Sequence, residues 1–219
     1  MAQRNADVDI IFIIDATGSM RAWLLAAKNK ARTIANVSRS KYPNISFNFG
    51  AIFYKDPVVQ WRDRNVYYDP TSNIDSLVYF MSMQRADGGG GDGPEDWAGA
   101  YDILLHQISF RPGSTRAVIH IADAEAHGSE WGGKHGVYES EGPRLTNYIR
   151  TCARSNYYFS GINIGHYGIP TFNRVGEIYA NEGKRNLYTV SSISRVGEDM
   201  AGNFLQNVAD NLISSIAAF

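Results

Sequence analysis

The sequence has little of several features that define particular classes of protein. Its single cysteine, Cys152, excludes a disulfide within the chain and agrees with a cytoplasmic location. The 21 Lys and Arg balance 22 Asp and Glu to a formal net charge of -1, which does not favour nucleic acid as a partner. No apolar run approaches the roughly 20 residues that cross a bilayer, so we expect no membrane insertion. The polar first ten residues do not resemble a signal peptide.

The composition is that of an ordinary globular protein. The chain has 219 residues, of which 44% are hydrophobic and 20% are charged. This length suits one large domain with a sizeable core and is short for two domains. We therefore expect a single domain over residues 1–219.

Short apolar runs alternate with helical patterns along the chain. The predicted strands are Val8 to Asp15, Ile45 to Tyr54, Ala117 to Ala122, Tyr158 to Ile164 and, more weakly, Leu187 to Val190. The predicted helices are Met20 to Ser38, Ile74 to Met83, Trp97 to Ile108, Pro143 to Cys152, Thr171 to Ala180 and Ala201 to Phe219. Nearly continuous apolar strands that alternate with helices predict an α/β fold: a Rossmann-like, doubly wound, mostly parallel sheet with helices on both faces. The short segment Asn65 to Tyr68 is expected to add one antiparallel edge strand.

Parallel sheets place ligands at the carboxyl ends of their strands. The first predicted strand ends on Asp15, and Thr17 and Ser19 follow it. Carboxylate and hydroxyl oxygens are ligands that hard cations such as Mg²⁺ prefer. A helix follows at once, so Thr17 or Ser19 would equally well serve as its N-cap. This loop alone leaves both interpretations open.

Two further loops carry acidic residues at the expected edge of the sheet. The run Gly88 to Gly91 lets the backbone approach another group closely and leads to Asp92, although a plain surface loop is an alternative. The strand that precedes Asp123 also ends on a carboxylate. Two carboxylates that face each other repel unless a proton or a cation lies between them. The pattern therefore favours a metal site.

The segments DATGSM, GGGGDGPE and IADAEAHG together resemble the von Willebrand factor type A (VWA) domain and its metal-ion-dependent adhesion site. The resemblance covers nearly the whole chain and is greatest to the variant found in VWA proteins linked to α-kinases. It implies that the hydroxyls of Thr17 and Ser19 bind Mg²⁺ directly, with Mn²⁺ or Ca²⁺ as alternatives. Asp15 and Asp123 would often act through water.

The resemblance also implies a function. The metal would engage an acidic side chain of a protein partner, as is common in this family, and the last helix would shift when the partner binds. Such a domain has no catalysis of its own, and self-association is a further possibility. The family usually supplies a threonine from the second loop, but no Ser or Thr occurs between Met83 and Ile108. Asp92 is the best substitute, with Asp87 and Glu95 behind it. An extra carboxylate would hold the metal well and weaken its attraction for an incoming acid.

A second interpretation treats Asp15 as a nucleophile. The stretch around it also resembles the first motif of haloacid-dehalogenase-like phosphotransferases, in which an aspartate accepts a phosphoryl group. That chemistry also needs a lysine beside the phosphate and a later strand that ends in paired acids. No apolar strand of this chain ends in such a pair, so we rank this alternative second.

Aromatic and histidine side chains near the same loops are candidates for a rim that contacts the partner, because aromatic residues are enriched in interfaces. The candidates are Trp61, His127, Trp131, His166 and Tyr167.

Overall fold

The computed structural model describes residues 6–56, 65–89, 93–133 and 138–218. Within these residues, six strands form one sheet in the order β3-β2-β1-β4-β5-β6. The strands are β1 (Ala6–Asp15), β2 (Ile45–Tyr54), β3 (Val66–Thr71), β4 (Thr115–Ala122), β5 (Tyr158–Ile164) and β6 (Tyr188–Ile193). All neighbours pair in parallel except β2 and β3, which are antiparallel. The predicted mostly parallel sheet with one antiparallel edge strand is confirmed.

Helices cover both faces of the sheet. They are α1 (Arg21–Lys41), α2 (Ile74–Met83), α3 (Trp97–His106), α4 (Glu141–Arg154), α5 (Ile169–Asn181) and α6 (Glu198–Ala217). One buried cluster joins the sheet to α1, α2 and α6, and a second joins it to α3, α4 and α5. The helix bounds differ from the predicted ones by at most three residues; α1 ends three residues later and α6 begins three residues earlier. No helix of the described ranges is both long and apolar enough to cross a membrane.

Strand β1 shows why the apolar runs are continuous. Ile10, Phe12 and Ile14 belong to the first cluster, whereas Ile11 and Ile13 belong to the second. Successive side chains of a strand point to opposite faces, so both sets need apolar residues when both faces are covered. Because β1 and β4 are central strands that pair in parallel, their carboxyl ends lie side by side in the middle of the sheet.

The edge strand β3 is irregular. Its pairing with β2 shifts register between Phe49 and Ala51. At Gly50, which lies between them, a Cβ atom would approach the carbonyl oxygen of Tyr68 to 2.7 Å. Pro70, inside β3, has no N–H to donate. The bulge and the proline together restrict how far this edge offers regular hydrogen bonds.

A buried ion pair joins the amino-terminal end of β1 to the loop before β4. The side chain of Asp9 is completely buried. Arg111 donates to Asp9 from its Nε (2.7 Å) and from its backbone N–H (2.9 Å), and Ser114 Oγ donates a third hydrogen bond at 2.9 Å. The carboxylate is thus compensated on several sides, as a buried charge requires.

His120 of β4 lies in the second cluster, below the carboxyl ends of the strands. Its ring nitrogens hydrogen-bond the hydroxyls of Tyr54, at 2.9 Å, and Tyr101, at 3.0 Å. The ring of Trp97 lies against it, with centroids 3.8 Å apart. Burial lowers the pKa of His120 well below its ordinary value of 6.5, because a charged imidazolium would lose its hydration here.

Candidate functional site

Asp15, the last residue of β1, forms the buried centre of the candidate site. Its side chain is completely shielded from solvent. The backbone N–H and the hydroxyl of Thr17 both donate to Oδ1, at 2.8 and 2.7 Å. Among the described residues, Oδ2 accepts no hydrogen bond. A buried carboxylate oxygen without a donor is costly and needs an explanation, such as a bound ion or water.

The oxygens of four predicted site residues form a continuous chain. From Thr17 Oγ1, the Oγ of Ser19 is 3.4 Å away. Ser19 Oγ donates to Oδ1 of Asp123 at 3.1 Å. Because β1 and β4 are neighbours, the loops that follow them bring Asp123 next to Ser19 although 104 residues separate the two. The structure therefore places Asp15, Thr17, Ser19 and Asp123 together.

Neither hydroxyl acts as a helix cap. Thr17 precedes a short 3-10 helix, Gly18–Met20, but its side chain makes no capping hydrogen bond. Met20, not Ser19, is the residue that precedes α1. The alternative that these hydroxyls only cap a helix is therefore not supported, and both face the two carboxylates instead.

Electrostatics at Asp15 oppose ionisation. Burial and the nearby charge of Asp123 raise the pKa of Asp15 to about 7, although the Thr17 hydrogen bonds and the cation of Lys55 act in the other direction. Lys55 follows β2 and forms an ion pair with Asp87. The raised pKa shows that the repulsion and burial outweigh the effect of Lys55 on Asp15, so added positive charge beside this carboxylate would be stabilising.

Arg195 also belongs to the site, and sequence reasoning missed it. It follows β6, and its Nη2 lies 3.0 Å from Oδ2 of Asp123. The Arg195 side chain is 65% exposed whereas that of Asp123 is 4% exposed. Residues directly after β2 and β6 reach the same edge as Asp15, so a search for basic residues after each predicted strand would have found Lys55 and Arg195.

The glycine-rich loop lies against the first loop. The N–H of Gly18 donates to the carbonyl of Gly88 at 3.0 Å, and that of Asp87 donates to the carbonyl of Ala16 at 3.2 Å. Gly88 and Gly89 have φ values of 69° and 140°, which favour glycine. The positive φ values, rather than a close contact, explain why glycine is favoured at these two positions.

The predicted acidic ligands of the second loop have different surroundings. Asp92 lies outside the described residues, so its role stays a prediction. Asp87 is exposed and pairs with Lys55. Glu95 is buried, and its backbone N–H donates to the carbonyl of Glu125 at 2.8 Å.

A cavity of about 590 Å³ opens over these loops. Its lining includes Thr17, Ser19, Glu95, Asp123, Tyr167 and Arg195. Within the described ranges, no three His, Cys, Asp or Glu side chains cluster as a conventional metal site. A cation in this cavity would therefore need the hydroxyls of Thr17 and Ser19 as ligands.

Comparisons with known proteins test the fold. No family model matches the chain. The pilus adhesin SpaC of Lactobacillus rhamnosus GG, in its open conformation, superimposes with a TM-score of 0.59 at 15% identity over 95% of this chain and 30% of the adhesin. A von Willebrand factor type A protein of Catenulispora acidiphila superimposes with a TM-score of 0.53 at 12% identity over 94% of this chain and 43% of that one. The chain has the von Willebrand factor A fold.

A relative identified by its sequence also supports the link to VWA domains. Alpha-protein kinase vwkA of Dictyostelium discoideum is 34% identical over 201 residues, which cover 87% of this chain and 31% of the kinase. The chain thus spans about a third of the length of the kinase and of the adhesin. This relative supports the predicted link to α-kinase proteins.

Within the VWA fold, two of the predicted rim residues are not on the surface. Trp131 is completely buried, and its indole N–H donates to the carbonyl of Gly142 at 3.0 Å. His127 is 2% exposed and stacks edge-on against Tyr138. The prediction that they form the rim is wrong, because the short helix Ser129–Trp131 folds under the start of α4.

The other rim candidates differ among themselves. Tyr167 is 67% exposed and lines the cavity of the VWA fold, so it is available to a partner. His166 is exposed beside it. Trp61 lies outside the described residues.

Proposed function

We propose that this chain binds a divalent cation, Mg²⁺ in the first instance and Mn²⁺ or Ca²⁺ as alternatives, and uses it to bind an acidic side chain of a protein partner. Asp15, Thr17, Ser19 and Asp123 would hold the ion, with Asp92 as the further ligand that the sequence predicts. The observation that carries the proposal is Oδ2 of Asp15, a buried carboxylate oxygen that accepts no hydrogen bond within the described part of the chain.

The spacing of the oxygens is compatible with a cation of this size. Mg²⁺ binds oxygens at about 2.1 Å in an octahedron, so neighbouring ligands lie about 3.0 Å apart. The chain of oxygens from Asp15 Oδ1 through Thr17 and Ser19 to Asp123 Oδ1 has steps of 2.7, 3.4 and 3.1 Å. Four such oxygens leave room in the coordination sphere for an outside ligand.

Charge supports the same conclusion. Burial and then the charge of Asp123 raise the pKa of Asp15, the second because two ionised carboxylates repel each other. A divalent cation would neutralise both and would remove this repulsion. The ion would then supply Lewis acidity toward a carboxylate from outside, and the chain's own role is to hold it in a cavity open to the solvent.

The phosphotransferase alternative is not favoured. Asp15 is completely buried, and Oδ1 already accepts two hydrogen bonds from Thr17. A nucleophile must be reached by its substrate. We accordingly propose that the chain binds a partner in the cytoplasm and does not catalyse a reaction. Self-association would be a second form of partner binding.

Titration calorimetry with MgCl₂ and MnCl₂ tests the metal site. We expect the wild type to bind one ion and Asp15→Asn to bind none, while Asp75→Asn, an exposed acid of α2, binds like the wild type. Thermal unfolding with and without metal gives an independent readout, since a bound ion raises the midpoint only where the site is intact. Equal ion binding by wild type and Asp15→Asn would refute the metal site.

A pull-down from native lysate tests the partner role. The wild type is compared with Asp15→Asn, each with Mg²⁺ and with a chelator. We expect a set of retained proteins that requires both Mg²⁺ and Asp15. If neither the chelator nor the substitution changes what is retained, the metal is not the recognition element.

A further inference from the structure

A second cavity, of about 320 Å³, lies beside the metal loops on the side of α1 and the start of the glycine-rich loop. Its basic side chains are Arg21, Lys28 and Arg85, and we call it the basic groove. Asp87 also lines it, but this carboxylate is paired with Lys55. The groove therefore carries a net positive charge in a protein whose overall charge is close to zero.

Within the part of the chain that the structure describes, the cations of the groove form no ion pair. Arg21 and Arg85 are exposed, and neither has an ion pair or a hydrogen bond within the described residues. Lys28 is half-buried and donates to the carbonyl of Gln84. Burial and the nearby charge of Arg85 lower the pKa of Lys28. Like charges that gather without a counter-ion destabilise one another, and an incoming anion would relieve this repulsion.

The basic groove adjoins the metal cavity. Arg21 follows Ser19 by two residues, and Asp87 precedes Gly88, which lines the metal cavity. The hydrogen bonds from Gly18 to Gly88 and from Asp87 to Ala16 fix the two loops to each other between the cavities. The two cavities are therefore lined by consecutive residues of the same two loops.

We propose that the basic groove binds further carboxylates of the same acidic partner segment whose first carboxylate reaches the metal. This proposal rests on the proposed function and adds that the partner presents a cluster of acidic residues rather than one. Arginine suits the task because its guanidinium binds a carboxylate with two parallel hydrogen bonds. The exposed Leu25, which also lines the groove, offers a small apolar contact beside the charges.

Fluorescence anisotropy with a labelled decaglutamate peptide tests the groove. The groove variant is Arg21→Gln with Arg85→Gln. The matched control is Lys184→Gln with Arg185→Gln, which removes the same charge from the loop before β6, at the opposite edge of the sheet. With Mg²⁺ present we expect the groove variant to bind roughly fivefold more weakly than the wild type. The control should stay close to the wild type, and added salt should weaken wild-type binding more than that of the groove variant.

Separate arms distinguish the groove from the metal site. Calorimetry should show that the groove variant binds Mg²⁺ as the wild type does, whereas Asp15→Asn does not bind Mg²⁺. In anisotropy, Asp15→Asn should still bind decaglutamate better than the variant that combines Asp15→Asn with the groove substitutions. If the groove variant binds like the control, or if the wild type does not bind decaglutamate, the basic groove is overturned. Tighter binding of an oligothymidylate of equal length would overturn the choice of carboxylates. If the groove variant loses affinity but chelator and Asp15→Asn have no effect, the metal-dependent function fails on its own.

Discussion

The guanidinium of Arg195 lies 3.0 Å from Oδ2 of Asp123, while Ser19 donates to the other oxygen of the same carboxylate. Asp123 is therefore engaged on both sides, and a cation already stands next to the proposed metal position. Arg195 partly neutralises Asp123 and, in the same position, repels an incoming metal ion.

Replacing Arg195 by methionine should therefore have two opposite effects. Mg²⁺ affinity should rise several-fold, since the repulsion between two cations disappears. The metal-free protein should unfold at a lower temperature, because Asp123 loses an ion pair worth up to about 1 kcal/mol. Calorimetry and thermal unfolding measure the two effects, with Arg174→Met, which removes an exposed ion pair of α5, as the control. Unchanged Mg²⁺ affinity in Arg195→Met would contradict this role.

Asp92→Thr should increase the affinity for an acidic peptide several-fold. The prediction rests on the sequence, because Asp92 lies outside the described residues. A neutral hydroxyl in place of a third carboxylate would leave more of the metal's charge available to the partner. Anisotropy with decaglutamate in Mg²⁺ measures the gain, and Asp75→Thr, at an exposed acid of α2 that lines neither cavity, is the control. No gain over the wild type would count against Asp92 as a ligand.

The buried pair of Asp9 and Arg111 should support stability without affecting the site. Arg111→Met leaves the completely buried Asp9 carboxylate without its main partner, so the free energy of unfolding should fall by about 3–5 kcal/mol. The double variant Asp9→Asn with Arg111→Met should recover part of this loss. Urea unfolding measures both. Mg²⁺ affinity of the folded protein should not change, because the pair lies at the other end of β1.

Stability should depend on pH through His120. Its pKa is lowered in the folded state, so the unfolded state takes up the proton first as the pH falls below about 6.5. Between pH 7.5 and 5.5 this uptake should lower the free energy of unfolding by about 1.4 kcal/mol. Asp15, whose pKa is raised to about 7, binds a proton more readily in the folded state, so it adds stability over the same range and masks the effect of His120 in the wild type.

The contribution of His120 is therefore isolated by comparing the pH dependence of unfolding in the wild type with that in a variant that lacks His120. Urea unfolding of the wild type and of His120→Gln at the two pH values should show that the change in the free energy of unfolding from pH 7.5 to pH 5.5 is about 1.4 kcal/mol less favourable in the wild type than in the variant. His166→Gln, at an exposed position, should behave like the wild type. An equal pH dependence in all three proteins would show that His120 does not control it.

The sequence was enough to predict the fold and the proximity of Asp15 and Asp123. Continuous apolar runs indicated strands covered on both faces, and the parallel arrangement then required Asp15 and Asp123 to meet at one edge. What it did not reveal depends on long-range packing. Trp131 stands in a glycine-containing loop, which suggests the surface, yet a carbonyl of α4 accepts its indole N–H and the ring is buried.

The position of Arg195 at the candidate site also depends on long-range packing. Its partner Asp123 is 72 residues away in the chain, and only the order of β4, β5 and β6 in the sheet brings the two loops together. The order of the strands in the sheet, rather than any local sequence pattern, produces this contact.

The irregular strand β3 has a consequence for assembly. Sheets grow by edge-to-edge pairing, and a proline, a bulge and a close backbone crossing are features that interrupt such growth. At one border of the sheet, β3 contains Pro70 and pairs irregularly with β2 at Gly50. If two copies associate through backbone pairing, they would therefore pair along β6, the strand at the other border. Arg195 lies in the loop that follows β6, so a change in the position of this loop would also affect such a dimer.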